Sequence, residues 1–255
     1  MLLLLLSSTI SIFTACGGIR PSDQAKSPAE ATYLQGVEAL EDEDYLTASE
    51  RFRTVKIKYI YTQYAALAEL KSADTLAAQG KYIEAIEQYR LFIQSRPNHE
   101  EVPYAYWKIA DSYYQQRPSS VAILPPVYER DRGSTKDAIR ALKIYIERFP
   151  NGKYEVKAQQ QLLESRRTLA EHEQYVAEFY LKQNKPGAAI GRYEYLFKQY
   201  ADVKDLWLEA AIKLIELYAE GDQHDKVCTL AGQVRPLVQG DMLNEIQFLT
   251  KKCTP

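Results

Sequence analysis

Cysteine offers the most specific chemistry in this sequence, because a thiolate is a nucleophile, a metal ligand and a partner for a disulfide. The chain has three cysteines, Cys16, Cys228 and Cys253. Cys16 follows an apolar run over residues 1–13 and two small residues, and two glycines come directly after it. This setting favours covalent modification of the Cys16 thiol.

The apolar run before Cys16 indicates a targeting segment. It is too short to span a bilayer as a helix, and it fits the hydrophobic region of a secretory signal followed by small residues. Residues 13–16 resemble the bacterial lipobox, in which the cysteine becomes the lipidated first residue of the mature chain. No Lys or Arg precedes the run, which departs from the usual pattern, and a secreted Cys16 without lipid is the alternative. We therefore expect a signal peptide over residues 1–15 and lipidation of Cys16.

The residues after Cys16 predict a membrane tether. Gly17 follows the cysteine where some lipoproteins have Asp, and this resemblance favours sorting to the outer membrane. Residues 16–29 are largely polar and contain two prolines, so they would hold the folded part within roughly 20 Å of the membrane surface. The expected location is the outer membrane, lipid-anchored and facing the periplasm.

Catalytic and metal sites have no support in the sequence. His99, His172 and His224 are isolated among polar residues, and no Cys-x-x-Cys, His-Glu-x-x-His or glycine-rich phosphate loop occurs. Asp74 and Asp111 are single carboxylates predicted on separate helices, so they do not form a pair for acid–base catalysis. We expect no metal, no cofactor and no enzymatic activity.

Composition bears on partners and on fold class. The chain has 32 Lys and Arg against 34 Asp and Glu, a net charge of −2, so no overall positive field would attract nucleic acid. Its 20 tyrosines suit half-buried positions between helices, since tyrosine has an apolar body and a polar tip. Glycine and proline are sparse and lie between helical patterns, which predicts an all-α chain.

The elements that position these side chains follow a repeated pattern, clearest over residues 80–97. Ala85, Tyr89 and Phe92 are spaced i, i+4 and i+7, one stripe of a helix, and the proline at the end of the segment stops that helix. Another helical pattern precedes the glycine at its start. The order of helix, glycine turn, helix and proline resembles the tetratricopeptide (TPR) repeat, a 34-residue helical hairpin that stacks on copies of itself.

The pattern recurs about five times and predicts an all-α TPR superhelix with a C-terminal capping helix over residues 241–251. Residues 30–152 would form repeats one to three, and residues 153–255 would form repeats four and five and the cap. A proline-rich insertion over residues 116–135 interrupts repeat three; long loops inside compact repeats are often functional. A nearly unbroken helical pattern over residues 153–184 leads into repeat four.

Cys228 and Cys253 fall on helices that are expected to be antiparallel neighbours. A disulfide between them is allowed in an oxidising periplasm and would stabilise the fold by about 3 kcal/mol. The sequence does not fix the distance between their Cα atoms. A disulfide and two buried free thiols therefore both stay open.

The order of these features resembles the BamD family, TPR lipoproteins of the outer-membrane β-barrel assembly machinery. The resemblance is carried by a loop ending in Glu129, Arg130 and Asp131 and by the segments over residues 148–154 and 175–180, and it covers nearly the whole mature chain. The sequence departs from the family in the missing basic residues before the apolar run and in the two carboxyl-terminal cysteines.

The resemblance implies a non-enzymatic role. Such proteins dock the periplasmic POTRA region of BamA through their carboxyl-terminal repeats, beside other Bam lipoproteins. They are thought to receive unfolded outer-membrane β-barrel proteins at their amino-terminal repeats. Arg192 matches the arginine by which the family contacts BamA, and a solvated helix arginine is the alternative. The alternative function is that of another periplasmic TPR lipoprotein, an envelope interaction scaffold without a barrel partner.

The TPR register also predicts a substrate-peptide groove. In TPR stacks one stripe of each first helix lines the concave face, and in repeats one to three that stripe includes three tyrosines and a tryptophan. An extended peptide would find stacking partners and acceptors for its N–H groups there. The alternative is that these aromatic residues pack against the tether or the insertion. The predicted groove residues are Tyr33, Val37, Leu67, Leu70, Asp74, Tyr104, Trp107, Asp111 and Tyr114.

Overall fold

The computed structural model describes residues 20–118, 125–130, 132–251 and 253, and the regular structure within them is helical. The α-helices in chain order are α1 (Pro28–Glu41), α2 (Tyr45–Lys58), α3 (Gln63–Ala78), α4 (Tyr82–Ser95), α5 (Val102–Gln115), α6 (Gly133–Arg148), α7 (Glu155–Lys182), α8 (Pro186–Gln199), α9 (Lys204–Glu220), α10 (His224–Val234) and α11 (Asp241–Leu249). Short 3₁₀ helices lie at Pro21–Gln24, Val127–Glu129 and Arg235–Leu237. The predicted all-α TPR fold of five helix pairs and a last helix is confirmed.

Some of the predicted features lie outside the described residues. These are the signal peptide, Cys16 and the start of the tether, all within residues 1–19, and residues 119–124 and Asp131 of the insertion. Among the residues that are described, no helix is long and apolar enough to cross a membrane.

The described chain falls into two compact units whose boundary lies inside α3. The first unit ends at Thr75 and the second begins at Leu76. The predicted division between amino-terminal and carboxyl-terminal repeats lies elsewhere, after residue 152, within the second unit. In that unit α6 packs against both α5 and α7, so the packing of helices continues across residue 152.

The last part of the tether is folded onto the first unit. Its 3₁₀ helix, Pro21–Gln24, packs against α1, where the backbone N–H and the hydroxyl of Ser22 both donate to the Glu38 carboxylate at 2.9 Å. Ser27 then caps α1 by accepting a hydrogen bond from the N–H of Glu30 at 3.2 Å. Residues 22–29 of the predicted tether therefore belong to the folded first unit.

Small and large side chains interlock on the second helix of each pair. In α2 the buried stripe is Ala48, Phe52 and Val55, each with no exposed area. Alanine lets a facing helix come close, and the larger side chains fill the space beside it at the density of a protein core. The same stripe recurs as Ala85, Tyr89 and Phe92 in α4, as Ala138, Leu142 and Tyr145 in α6, and as Ala189, Tyr193 and Leu196 in α8.

The turns inside four of the pairs share one geometry. Each has a single residue with positive φ, and the N–H of the following residue bonds back to a carbonyl near the end of the first helix at 2.8–2.9 Å. This is a common way to end a helix, and it satisfies carbonyl groups that the last turn leaves open. The residues with positive φ are Glu43, Gly80, Asn184 and Asp222. Repeat three carries the insertion at this point.

The second unit contains the long α7 helix and the described part of the insertion, which packs against it. The α7 helix has 28 residues, about 42 Å, and confirms the predicted long helix. The α6 helix begins at Gly133, two residues before the predicted end of the insertion at residue 135. The 3₁₀ helix at Val127–Glu129 packs against α7, so this part of the insertion is held against the repeats.

Gly36 marks the closest approach of α1 to α2. A methyl group at Gly36 would lie 2.7 Å from Cε1 of the Phe52 ring. Carbon atoms do not approach so closely without moving, which explains a glycine inside a helix that alanine would otherwise stabilise by about 1 kcal/mol.

We expect Gly36→Ala to lower the free energy of unfolding by about 1–3 kcal/mol, because the added methyl overpacks the contact with Phe52. Urea denaturation followed by circular dichroism measures the change. Gly191→Ala in α8 is the matched control: apart from its own helix backbone and chain neighbours, no heavy atom lies within 4 Å of its added methyl, so it should be neutral or stabilising by up to about 1 kcal/mol. Equal behaviour of the two variants would contradict the close approach.

Candidate functional site

The predicted groove residues of repeat three contact the start of α7. Trp107 is 3% exposed and stacks on Tyr154, with ring centroids 5.3 Å apart and planes 9° apart. Tyr145 approaches the Trp107 ring from its edge at 5.8 Å. Trp107 therefore fills the core between α5, α6 and α7, and the expectation that it lines an open groove is wrong.

The other three residues of this stripe are partly buried against the same element. Tyr104 lies against Tyr154, with ring centroids 6.0 Å apart. Nε2 of Gln161 donates to Oδ1 of Asp111 at 2.8 Å. These two contacts come from the start of α7, whereas Tyr114 is also contacted by Arg117, which lies at the beginning of the predicted insertion. The amino-terminal half of α7 packs against α5 as the first helix of a following repeat would.

Tyr114 takes part in a polar cluster at the end of this stripe. Its hydroxyl donates to Oε2 of Glu164 at 2.5 Å, and the Arg117 guanidinium lies 3.8 Å from the centre of the Tyr114 ring. Arg117 also donates to Oε1 of Glu164 at 3.2 Å. Burial and the hydrogen bond to Glu164 raise the pKa of Tyr114 to about 12. The tyrosine therefore stays a hydrogen-bond donor at neutral pH.

Glu164 is the acceptor of that cluster. Burial acts to raise the pKa of Glu164, but the hydrogen bonds from Tyr114 and Arg117 outweigh it and hold the pKa below its usual range. The carboxylate is therefore ionised at neutral pH and carries the negative charge of the cluster. Glu164 is 50 residues from Tyr114 along the chain, so no local spacing connects the two in the sequence. Arg117 lies only three residues after Tyr114, but nothing in the sequence indicates that it turns back over the ring.

The predicted groove residues of the first unit are divided between core and surface. Tyr33 is partly buried against Phe52 and Tyr64, with ring centroids 6.0 and 5.6 Å away. Val37 packs on the same cluster, and Leu67 is partly buried. Leu70 and Asp74 are 3% and 8% exposed, so the expectation that they line an open face is wrong.

Arg192 belongs to a charged cluster that joins three elements of the second unit. Its Nη1 donates to Oε2 of Glu173 on α7 at 3.0 Å. Nη1 of Arg132, directly before α6, lies 3.8 Å from Oε1 of the same carboxylate. The Glu173 side chain is 7% exposed, whereas those of Arg192 and Arg132 are 43% and 35% exposed. We call Arg132, Glu173 and Arg192 the Glu173 cluster.

Among the described residues, the Glu173 cluster has a net positive charge at the surface. Two guanidinium groups face one buried carboxylate, so their charge exceeds its own by one. Pairing also makes burial of Glu173 tolerable, since an isolated buried carboxylate is strongly disfavoured. The sequence predicted a role only for Arg192. Glu173 and Arg132 are far from it along the chain, and no local pattern connects them.

The insertion reaches α7 beside this cluster. Nδ1 of His172 lies 2.5 Å from the carbonyl oxygen of Tyr128, and the Tyr128 ring contacts Tyr175 at 5.4 Å between centroids. These contacts flank Glu173 along α7. The described part of the insertion and the surface around Arg192 are therefore held by the same turn of one helix.

Cys228 and Cys253 form a disulfide, with their Cα atoms 5.6 Å apart. This distance is within the range that a disulfide requires. The bond links α10 to the segment after α11. It decides between the two alternatives that the sequence left open.

Within the part of the chain that the structure describes, no group of three or more His, Cys, Asp or Glu side chains could hold a metal ion. The charged clusters described above instead mix acidic and basic groups. They can recognise charged side chains or peptide groups of a partner.

Comparisons with known proteins place the chain among bacterial outer membrane proteins. A family model described as YfiO, outer membrane lipoprotein, matches residues 25–226. Outer membrane protein assembly factor BamD of Rickettsia prowazekii (strain Madrid E) is 28% identical over 87% of this chain and 86% of its own length. The protein of the same name from Xylella fastidiosa (strain 9a5c) is 25% identical over 93% of this chain and 81% of its own length.

A solved structure was also matched. It is a crystal structure of nearly identical TPR-like repeats from a putative kinesin light chain of Podosopora anserina, 13% identical, with a TM-score of 0.35. The match covers 89% of this chain and 98% of that one. A TM-score this low does not relate the two structures in detail.

Reduction of the disulfide is expected to loosen α10 and α11. The bond spans 25 residues, and a loop of that length predicts a loss of about 3 kcal/mol when it opens. Hydrogen exchange with and without a reducing agent measures the effect. Faster exchange of amides in these two helices is expected. A Cys228→Ser/Cys253→Ser variant should show no response to the reductant, and unchanged protection of the native chain would contradict a stabilising bond.

Proposed function

The chain belongs to the YfiO family of outer membrane lipoproteins, and we propose that it is a non-enzymatic scaffold in the assembly of outer-membrane β-barrel proteins. Relatives named outer membrane protein assembly factor BamD, similar over most of the chain, support this role. In the proposed role a lipid on Cys16 anchors the chain at the periplasmic face of the outer membrane. Its partners are the POTRA region of BamA, other Bam lipoproteins and unfolded barrel proteins.

The observation that carries the docking proposal is the Glu173 cluster. Arg192 is held by a buried carboxylate yet keeps 43% of its side chain exposed. A guanidinium group fixed in this way loses little conformational freedom on binding and presents further N–H groups to an acceptor. Arg132 also faces Glu173, so the buried carboxylate stays balanced when Arg192 shares its guanidinium group with a partner. The partner group that fits is a carboxylate, which an arginine binds with two parallel hydrogen bonds.

The surface beside Arg192 includes an exposed aromatic side chain. Tyr195, one turn further along α8, is 48% exposed. Tyrosine and arginine are enriched among the residues that contribute most to protein–protein binding. We propose that Arg192 and Tyr195 together dock the POTRA region of BamA.

The partly exposed groove residues form one proposed substrate-peptide surface in each unit. In the second unit it consists of Tyr104, Asp111 and Tyr114, and in the first unit a separate surface consists of Tyr33, Val37 and Leu67. Tyrosine rings can stack on aromatic side chains of an extended peptide, and the carboxylates of Asp111 and Glu164 can accept from its backbone N–H groups. Buried Trp107, Leu70 and Asp74 support the neighbouring side chains from within the core.

Arg192→Glu is expected to weaken binding of full-length, detergent-solubilised protein to the purified POTRA region at least about 30-fold, the loss typical of a central interface arginine. The reversal removes the cation and places a second carboxylate beside Glu173. Biolayer interferometry measures the affinity. Because that repulsion could disturb the fold, Arg192→Met is tested in parallel, and thermal melting reports folding.

Lys198→Glu is the matched control for this experiment. Lys198 is exposed on the same helix, so its reversal changes the net charge equally without touching the Glu173 cluster. Its binding should stay close to that of the native chain. If the native chain binds no POTRA region at all, the assembly role fails, and the alternative of an envelope scaffold without a barrel partner takes its place.

Tyr104→Ala/Tyr114→Ala is expected to weaken binding of a peptide that ends in an aromatic β-strand sequence by about tenfold. The reason is the loss of two aromatic contacts worth about 0.5–1.5 kcal/mol each. Fluorescence anisotropy of a labelled peptide measures the change. Tyr195→Ala, which removes an exposed tyrosine from the proposed docking surface, is the control. Equal weakening by both variants would contradict a separate peptide surface on α5.

A further inference from the structure

The outer face of α2 and the turn after it carry exposed apolar side chains. Ile57, Ile60 and Tyr61 are 65%, 57% and 100% exposed, and Leu46 at the start of α2 is 81% exposed. Leu46, Arg53 and Ile57 follow the helical spacing i, i+7 and i+11, so they lie on one face of α2, opposite Phe52. We call Leu46, Arg53, Ile57, Ile60 and Tyr61 the outer α2 face.

The corresponding positions at the ends of α4 and α6 carry no large aliphatic or aromatic side chain. Ala48, Phe52 and Val55 of α2 correspond to Ala85, Tyr89 and Phe92 of α4, a shift of 37 residues. With this shift, Ile57, Ile60 and Tyr61 correspond to Gln94, Pro97 and Asn98. The same register in α6 gives Glu147, Pro150 and Asn151. The repeat fold therefore does not require apolar residues at these positions.

Basic residues surround the apolar ones. Residues 51–68 contain Arg51, Arg53, Lys56 and Lys58 and no Asp or Glu. Lys56 and Lys58 lie in the last turn of α2, where cations complement the helix dipole. The helix dipole does not account for Arg51 and Arg53, which lie more than one turn before the end of α2. It also does not account for the exposed isoleucine and tyrosine side chains of the outer α2 face.

We propose that the outer α2 face rests on an anionic lipid surface. Tyrosine and isoleucine side chains enter the boundary between headgroups and acyl chains, while arginine and lysine bind the phosphate groups above them. This combination of exposed apolar and basic groups on one face is the pattern of an interfacial helix.

The short segment from Cys16 to Ser22, which we call the leash, supports a lipid surface as the binding partner of the outer α2 face. The inference rests on the proposed lipid at Cys16, because that lipid fixes one end of the leash. Ser22 fixes the other end through its two hydrogen bonds to Glu38. Six residues extend at most about 20 Å, so the first unit must lie within that distance of the bilayer.

The leash also leaves the first unit beside α2. Arg20, the first described residue, lines a cleft together with Thr47 and Arg51 of α2. The α2 helix is about 21 Å long, comparable to the reach of the leash. An anchor attached there can hold the whole length of α2 against the membrane.

Site-directed spin labelling of the full lipidated chain in vesicles tests the inference. Lipidated Cys16 and the Cys228–Cys253 disulfide leave no free thiol, so Ile57→Cys and Tyr61→Cys each provide one labelling site. Vesicles contain phosphatidylcholine alone or with phosphatidylglycerol. On vesicles with phosphatidylglycerol, both labels should lose most of their collisions with an aqueous nickel reagent and gain collisions with oxygen.

A charge reversal separates lipid binding from the anchor. Arg53→Glu/Lys58→Glu should return the Ile57→Cys label to water while the protein stays anchored. Lys136→Glu/Lys143→Glu, an equal charge change at exposed positions of α6, should leave the label buried. Labels that stay in water on both kinds of vesicle, or burial that survives the reversal, would overturn the inference.

The mass of the amino-terminal peptide distinguishes the two possible failures. A lipid on Cys16 together with labels in water overturns the outer α2 face alone and leaves the proposed function standing. An amino-terminal peptide without lipid overturns the anchor, and the inference that depends on it falls as well.

Discussion

Paired helices approach each other closely where alanine or glycine lies between them, and the packing of every repeat follows from this contact. Where Gly36 meets Phe52, one added methyl would fall 2.7 Å from the ring. Where Ala48, Ala85, Ala138 and Ala189 lie, large residues one and two turns later fill the remaining space. These buried stripes fix which side of each second helix faces outward, and so they decide that Arg192 and the outer α2 face remain accessible.

The long α7 helix connects the proposed functional surfaces of the second unit. Its amino-terminal half binds Asp111 through Gln161 and Tyr114 through Glu164. Its carboxyl-terminal half provides Glu173, which holds Arg192. A continuous helix holds the proposed peptide surface of the second unit and the proposed docking surface at a fixed separation. In the proposed role, substrate and partner would therefore both bind beside α7.

Helical periodicity and turn residues were sufficient to predict the fold, but not the neighbours of each stripe. The spacing of Ala85, Tyr89 and Phe92 identifies a buried face whatever packs on it. Trp107 lies on an equally regular stripe, and the sequence did not reveal that α7 covers it. Glu173 was missed for a related reason: a long-range ion pair leaves no periodic signal, because its partners meet only after the helices have packed.

The most direct test of the docking role is photo-crosslinking in intact cells with p-benzoylphenylalanine in place of Tyr195. This position is exposed and lies one turn from Arg192 on α8. The proposed role predicts a cross-link from this position to the periplasmic region of BamA, identified by mass spectrometry. A cross-link only to other proteins, with the chain folded and anchored, would contradict docking through this surface.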